Sequence, residues 1–306
     1  MNPEASPPPA QHTVMVTGAT GLLGRSLMGA FGANGGFVAI GAGFRRSGPR
    51  IVCLDLRKRE DVFAAVARHR PTIIVHAAAQ RRPDEAEKHP EEAFALNAGG
   101  TKHMVEAAAA HGAWLLYIST DYVFDGSSPP YSTGAIPNPV NVYGRTKLAG
   151  EKLALASNFA VLRVPMLYGP VAGWGESPVT EMVPALLANI GKPVWFDNWA
   201  VRYPTHVDDV ASACLRLAAE CLEGRRPSGI HHASAHEAFT RMEMATIMAQ
   251  KLGVFDIEIL SSARIANPNR PRDCRLDTSA SRRFSLPAPK RFVEGISEVL
   301  AGGAIK

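Results

Sequence analysis

The chain has 306 residues, 46% of them hydrophobic and 20% charged, with a formal net charge of +5; this suits one large α/β domain, or a nucleotide-binding domain with a smaller lobe, around a sizeable core. The mild charge lacks the concentrated patch of a nucleic-acid binder, and no apolar run approaches a membrane span. Four dispersed cysteines (Cys53, Cys214, Cys221, Cys274) without Cys-x-x-Cys spacing argue against a disulfide framework or zinc site and for reduced thiols in the cytoplasm.

Residues 1–12 are rich in Pro and Ala, lack the basic and apolar regions of a signal peptide, and read as a disordered tail. After them, short apolar runs alternate with helical patterns, which predicts an α/β fold with a doubly wound parallel sheet. Strands are expected at 14–17, 38–41, 51–54 and 72–76, the last fully apolar and therefore buried on both faces. Helices are expected at 22–33 and 59–69, and a long one at 91–111. The strand at 114–119 delivers Thr120 at its C-terminal end, the edge where open α/β sheets bind ligands. A helix carrying Tyr143 and a strand at 160–164 close the first unit, residues 13–164, read as a dinucleotide-binding domain. Beyond it Pro, Gly and Trp become frequent and the alternation loosens, with helices expected at 179–190, 207–221 and 241–252. Residues 165–306 read as a small substrate lobe interleaved with late sheet elements, without an independent core.

The run Gly18-Ala19-Thr20-Gly21-Leu22-Leu23-Gly24 lies between the first strand and its helix. Glycines at that turn let the backbone approach a pyrophosphate, whose charge the helix N-terminus can meet. Gly18, Thr20, Gly21, Leu22, Leu23 and Gly24 are therefore candidate cofactor contacts. The second strand leads not to an acidic residue but to Gly43-Phe44-Arg45-Arg46-Ser47. Arg45 and Arg46 offer planar donors to the 2′-phosphate of NADP where an Asp or Glu would select NAD; a solvated basic loop is the alternative. Asp55 and Leu56 close the third strand where the adenine edge would lie, although an acidic residue there is often a turn former. Ala77, Ala78 and Ala79 could flank the cofactor's sugar and nicotinamide or be ordinary tight packing. Asn97 could brace the active-site strand through its amide or be a polar surface residue.

Tyr143 and Lys147 are four residues apart and share one helical face. A phenol beside an ammonium ionises more easily, and Thr120 could hold a carbonyl oxygen while Tyr143 passes it a proton. The scattered His206, His231 and His232 have no metal-ligand spacing, so no metal is expected.

Together the glycine loop, the block from Ser119 to Gly126 and the Tyr143–Lys147 pair resemble the extended short-chain dehydrogenase/reductases, and within them the dTDP-4-dehydrorhamnose reductase family, from Val14 to about Leu300. The resemblance places the family's catalytic hydroxyl at Thr120, its proton donor at Tyr143, and its tyrosine-tuning, ribose-binding lysine at Lys147. It implies NADPH-dependent reduction of a nucleotide-sugar ketone. Gly41-Ala42-Gly43-Phe44-Arg45-Arg46, Arg81-Arg82-Pro83-Asp84, Val164-Pro165-Met166-Leu167-Tyr168-Gly169 and Arg202-Tyr203-Pro204-Thr205-His206-Val207 resemble the regulatory β subunits of methionine adenosyltransferase. That implies an NADP-binding partner of the catalytic subunit that makes S-adenosylmethionine, with the cofactor as ligand more than reagent. The closing stretch Ala301-Gly302-Gly303-Ala304-Ile305-Lys306 departs from the longer aromatic and basic tail of the animal β subunits.

Candidate substrate contacts complete the reading. Arg81, with Arg82, could clamp a diphosphate, pair with a partner's carboxylates or form a solvated turn. Tyr168 falls where the resemblance places the substrate pocket, although an aromatic there is more often core than contact. Trp199 and Arg202 precede Pro204-Thr205 in the substrate lobe as candidate ligand contacts. Arg270 stands at a position that in the resemblance meets a nucleotide phosphate, with plain surface as the alternative.

Overall fold

In the computed structural model, the described residues are 11–45, 48, 50–262, 269–284 and 287–304; Arg46 and residues 1–10 of the expected tail lie outside them. The first unit runs β1 (His12–Thr17), α1 (Leu22–Ala33), β2 (Phe37–Gly43), β3 (Ile51–Cys53), α2 (Arg59–His69), β4 (Ile73–His76), α3 (Pro83–Lys88), α4 (Pro90–Phe94), α5 (Gly100–Ala110), β5 (Trp114–Thr120), α6 (Val142–Ala156) and β6 (Ala160–Val164). There follow β7 (Leu167–Tyr168), α7 (Val183–Ala188), β8 (Pro193–Phe196), β9 (Thr205–His206), α8 (Val207–Leu222), β10 (Gly229–His232), α9 (Arg241–Lys251), β11 (Glu258–Ser261) and α10 (Phe292–Gly302).

Seven strands form one parallel sheet in the order β10-β6-β5-β4-β1-β2-β3. The apolar β4 and β5 sit near its centre, every residue buried, as expected for strands covered on both faces. The helix α1 packs on α8, while α2, α5 and α6 pack side by side. This is the doubly wound α/β fold, and it aligns the C-terminal ends of β1, β4 and β5 along one edge.

Three departures from the sequence pattern have physical causes. The expected helix at 91–111 is broken by a π-turn at Ala95–Gly99, where Asn97 directs its amide to neighbouring elements and α5 begins under Leu56; a Cβ on Gly100 would stand 3.0 Å from the Leu56 Cβ. The expected helix at 179–190 divides into a 3-10 turn, Thr180–Met182, and α7. The later lobe has its own apolar cluster, including Met182, Val183, Leu186, Met244, Met248, Phe292 and Ile296, distinct from the core around the sheet. Chain alternation did not expose that cluster because its members come from elements far apart in the chain. Two small parallel pairs, β8 with β11 and β7 with β9, lie alongside. Among the described residues, no helix is long and apolar enough to cross a membrane.

Candidate functional site

The C-terminal ends of β1, β4, β5 and β6 open into a cleft of ≈ 630 Å³. Its first end is made of backbone. Gly18 takes a positive φ of 69°, and a Cβ there would lie 2.9 Å from the Ala78 Cα. A Cβ on Gly24 would overlap the Gly18 carbonyl oxygen, so α1 can begin this close to β1 only with glycine. No side chain caps α1, and its first turn carries no acidic residue. Its leading N–H groups therefore remain available to an anion, and the cradle fits a dinucleotide's pyrophosphate. Gly18, Thr20, Gly21, Leu22, Leu23 and Gly24 all line the cleft, as do Leu56 and the Ala77, Ala78 and Ala79 patch.

The cleft beside β2 and β3 differs from the arrangement expected for the adenosine. Arg45 is exposed and not on the cleft wall; Arg46 lies outside the described residues. Arg57, which the motif reading passed over, lines the cleft beside Phe44, its guanidinium 5.0 Å from that ring's centroid. Asp55 also lines the cleft but is occupied: its carboxylate accepts from Arg57 Nε at 2.9 Å and Nη2 at 2.8 Å. Those bonds hold its pKa below the ordinary value. Asp55 thus aims Arg57.

Asn97 does not line the cleft. Buried in the π-turn, its Oδ1 accepts from the Gln80 N–H at 2.7 Å, and its Nδ2 donates to the Gln80 carbonyl at 3.0 Å and Thr146 Oγ1 at 2.9 Å. It is a brace between the loop after β4 and α6.

The second end is made of side chains. Thr120, Tyr143 and Lys147 converge on the same cleft. Thr120 Oγ1 donates to Asp121 Oδ1 at 3.1 Å and accepts from the Tyr122 N–H at 3.2 Å. Asp121 is buried beside it, and desolvation raises its pKa to about 6 against the pull of Arg202 and the Thr120 bond. Tyr143 opens α6, whose N-cap Asn141 accepts from the Gly144 N–H at 2.7 Å. The spacing predicts a phenol eased toward ionisation by Lys147. Instead burial raises the Tyr143 pKa, with the Thr120 hydrogen bond and Arg81 opposing it, so Tyr143 stands as a neutral acid.

Lys147 is buried, its Nζ donating to the Ile118 carbonyl at 2.6 Å and lying 4.1 Å from the Tyr117 ring centroid. Desolvation lowers its pKa to about 7, opposed by Glu151 one turn further along α6. Glu151 accepts from Ser119 Oγ at 2.5 Å and from Arg163 Nε and Nη2 at 2.9 and 2.7 Å. That buried network fixes α6 against β5 and β6 directly beneath Thr120.

Among the substrate candidates, Arg81, Arg202 and Arg270 line the cleft and Tyr168 and Trp199 do not. Tyr168 points into the later lobe's core, with ring centroids 5.2 Å from His206 and 5.3 Å from Phe292. Its strand neighbour Leu167 lines the cleft, so alternation turns Tyr168 to the opposite face. Trp199 is partly exposed, 5.9 Å from the Arg272 guanidinium. Arg202 is buried, donating to the Val201 and Arg272 carbonyls at 2.7 and 3.1 Å, and Arg270 pairs with Asp84 at 2.7 Å. Among the described residues, no group of three or more His, Cys, Asp or Glu side chains is placed to hold a metal ion.

The RmlD substrate binding domain family matches residues 12–304. This chain belongs to that family. It is 40% identical to methionine adenosyltransferase 2 subunit beta of Bos taurus, over 94% of this chain and 86% of that protein. It is 35% identical to dTDP-4-dehydrorhamnose reductase of Streptomyces griseus, over 93% and 91% of the two chains. A dTDP-4-dehydrorhamnose reductase from Bacillus anthracis, solved in complex with NADP, superposes with a TM-score of 0.79 at 26% identity, covering 96% of this chain and 99% of that one. Within the RmlD fold, the residues that sequence reasoning missed are Arg57, Asp121 and Glu176, all on the cleft wall. Asp121 stands in the quoted 119–126 block and could have been found there; Arg57 could have been found from its Asp-x-Arg spacing with Asp55. Glu176 carries no local signal.

Proposed function

We propose that this chain is a cytoplasmic, NADP(H)-binding regulatory subunit of methionine adenosyltransferase, supporting S-adenosylmethionine biosynthesis through association with the catalytic subunit. The observation that carries this reading is the 40% identity to vertebrate β subunits across 94% of the chain, against 35% for the Streptomyces reductase. The glycine cradle and the uncapped α1 support dinucleotide binding, and Arg57 supports a 2′-phosphate. On this reading residues 13–164 hold the dinucleotide and residues 165–306 form the facing lobe.

A second reading, an NADPH-dependent reductase of a nucleotide-sugar ketone, is favoured by one specific arrangement: Thr120, Tyr143 and Lys147 line one cleft. NADPH would supply the hydride. Thr120 would hold the carbonyl oxygen, the neutral phenol of Tyr143 would protonate the alkoxide, and Lys147 would bind the ribose.

Two measurements separate the readings. NADPH absorbance is followed with dTDP-4-dehydrorhamnose generated in the same cuvette, and the catalytic subunit of methionine adenosyltransferase is tested for co-purification. Dinucleotide binding without oxidation, together with a stable complex, supports the regulator. Turnover that vanishes in Tyr143→Phe, with no complex, replaces it by the reductase.

A further inference from the structure

A turn of the later lobe is tied across the cleft from both sides. Residues 173–176, which include the 3-10 turn Trp174–Glu176, meet Arg25 of α1 on one side. Arg25 Nη2 donates to Glu176 Oε2 at 2.7 Å and to the Pro170 carbonyl at 3.1 Å; Nη1 donates to Glu176 Oε1 at 3.2 Å and to the Thr20 carbonyl of the glycine loop at 3.0 Å. On the other side, Arg81 and Arg82 donate to the Gly175 carbonyl at 3.3 and 2.8 Å. The Ala172 N–H adds a bond to Glu176 Oε2 at 2.8 Å.

These tethers come from α1, which follows β1, and from the connection after β4, and β1 and β4 are neighbours in the sheet. The turn therefore spans the glycine cradle, and Glu176 faces the cleft itself. We propose that this turn is a strap gating dinucleotide exchange, with the Arg25–Glu176 pair as its latch. The inference rests on the dinucleotide reading of the cleft, and it gives the cofactor a long residence suited to a ligand retained by a regulatory subunit.

The pair has the strength and placement for this role. A forked guanidinium–carboxylate contact is directional and charge-assisted. The two side chains retain 30% and 19% of their exposure, so water can take over their hydrogen bonds when the strap opens, which keeps opening reversible. A gate also has a kinetic signature distinct from a binding contact. Loosening it speeds entry and exit together and leaves the equilibrium nearly unchanged, whereas loss of a direct contact acts mainly on exit.

The test is stopped-flow NADPH fluorescence on the wild type, Glu176→Gln, Arg25→Ala and the double variant. Glu176→Gln is nearly isosteric at a partly exposed position, so its fold is preserved. Association and dissociation rates should each rise about tenfold in either single variant, with Kd held within about threefold and no further rise in the double variant. A rise in dissociation alone, with Kd weakened to match, would make Arg25 a phosphate contact and overturn the gate. Slower release in Glu176→Gln would mean that the carboxylate repels the cofactor, which also overturns it. Unchanged rates at normal affinity defeat the strap while leaving the dinucleotide reading intact. No uptake by the wild type defeats that reading, and the strap with it.

Discussion

The two ends of the cleft are built from different materials. The glycine end is backbone: a positive φ at Gly18, a close contact with Ala78 and an uncapped helix. The end that carries Thr120, Tyr143 and Lys147 is a set of buried and partly buried side chains whose protonation is moved by desolvation, with Asp121 and Tyr143 raised and Lys147 lowered. A backbone cradle offers neutral donors whose strength does not change with pH. A desolvated cluster of charges depends on each partner being present and correctly protonated. The first end should therefore fail by steric change and the second by loss of charge balance.

The largest expected effect lies beneath the side-chain end. Glu151→Ala strands the Arg163 guanidinium, which has only 1% side-chain exposure, and removing one partner of such a buried pair costs about 3–5 kcal/mol. Urea denaturation should show a loss of that order. A loss below about 1 kcal/mol, in the range of exposed pairs, would show that the network is not the support described.

At the glycine end, Gly24→Ala places a methyl group against the Gly18 carbonyl oxygen. Overpacking of this kind costs about 1–3 kcal/mol of folding stability, and because the atom that must give way is cradle backbone, NADPH affinity should also fall, by about tenfold or more. Tyr143→Phe should leave affinity within about threefold, because it removes a proton donor and no part of the cradle. Fluorescence titration of both variants checks the contrast. Equal losses would erase the distinction between the two ends.

Protonation gives a subtler test. Lys147 has its pKa lowered from 10.5 to about 7 in the folded protein. Below about 7 the lysine is charged in both states, and the folded state bears the full penalty of burying that charge. Between about 7 and 10.5 the unfolded chain holds a proton that the folded chain has released, so this group makes stability rise with pH. Lys147→Met should lose that rise, seen as a smaller gain in urea midpoint between pH 7 and 9 than in the wild type. An identical gain would show that Lys147 titrates normally.

Local pattern made much of the fold legible. The glycine run followed by apolar periodicity located α1 at its observed limits, and the apolar strands at 72–76 and 114–119 marked the sheet's centre. Tyr143, Lys147 and Thr120 were visible because they sit at fixed offsets on one helix and at one strand end. Spacing did not reveal environment. It put a cation near Tyr143 but could not show that burial outweighs it. It placed Tyr168 beside the cleft strand but not on which face. The π-turn at Asn97 and the strap at Glu176 arise from contacts between elements far apart in the chain, Arg25 and Glu176 being 151 residues apart, and neither leaves a local periodic signal.

The smallest effect sharpens the comparison on the β2–β3 side of the cleft, where the cradle gives way to charge. Both Arg57 and Arg45 are exposed, but Arg57 is fixed by two hydrogen bonds from its guanidinium to Asp55 and lines the cleft, while Arg45 is off its wall. A guanidinium already oriented loses less entropy on meeting a 2′-phosphate than one free in solvent. Arg57→Ala should therefore reduce the preference for NADPH over NADH by about tenfold, and Arg45→Ala by about twofold, since a charge-assisted bond from an anchored guanidinium outweighs one from an unanchored, exposed one. Paired titrations with the two cofactors read this directly. The reverse order would return the 2′-phosphate to the loop after β2, and equal loss of both cofactors in Arg57→Ala would mean that the residue supports the adenosine pocket without reading the phosphate.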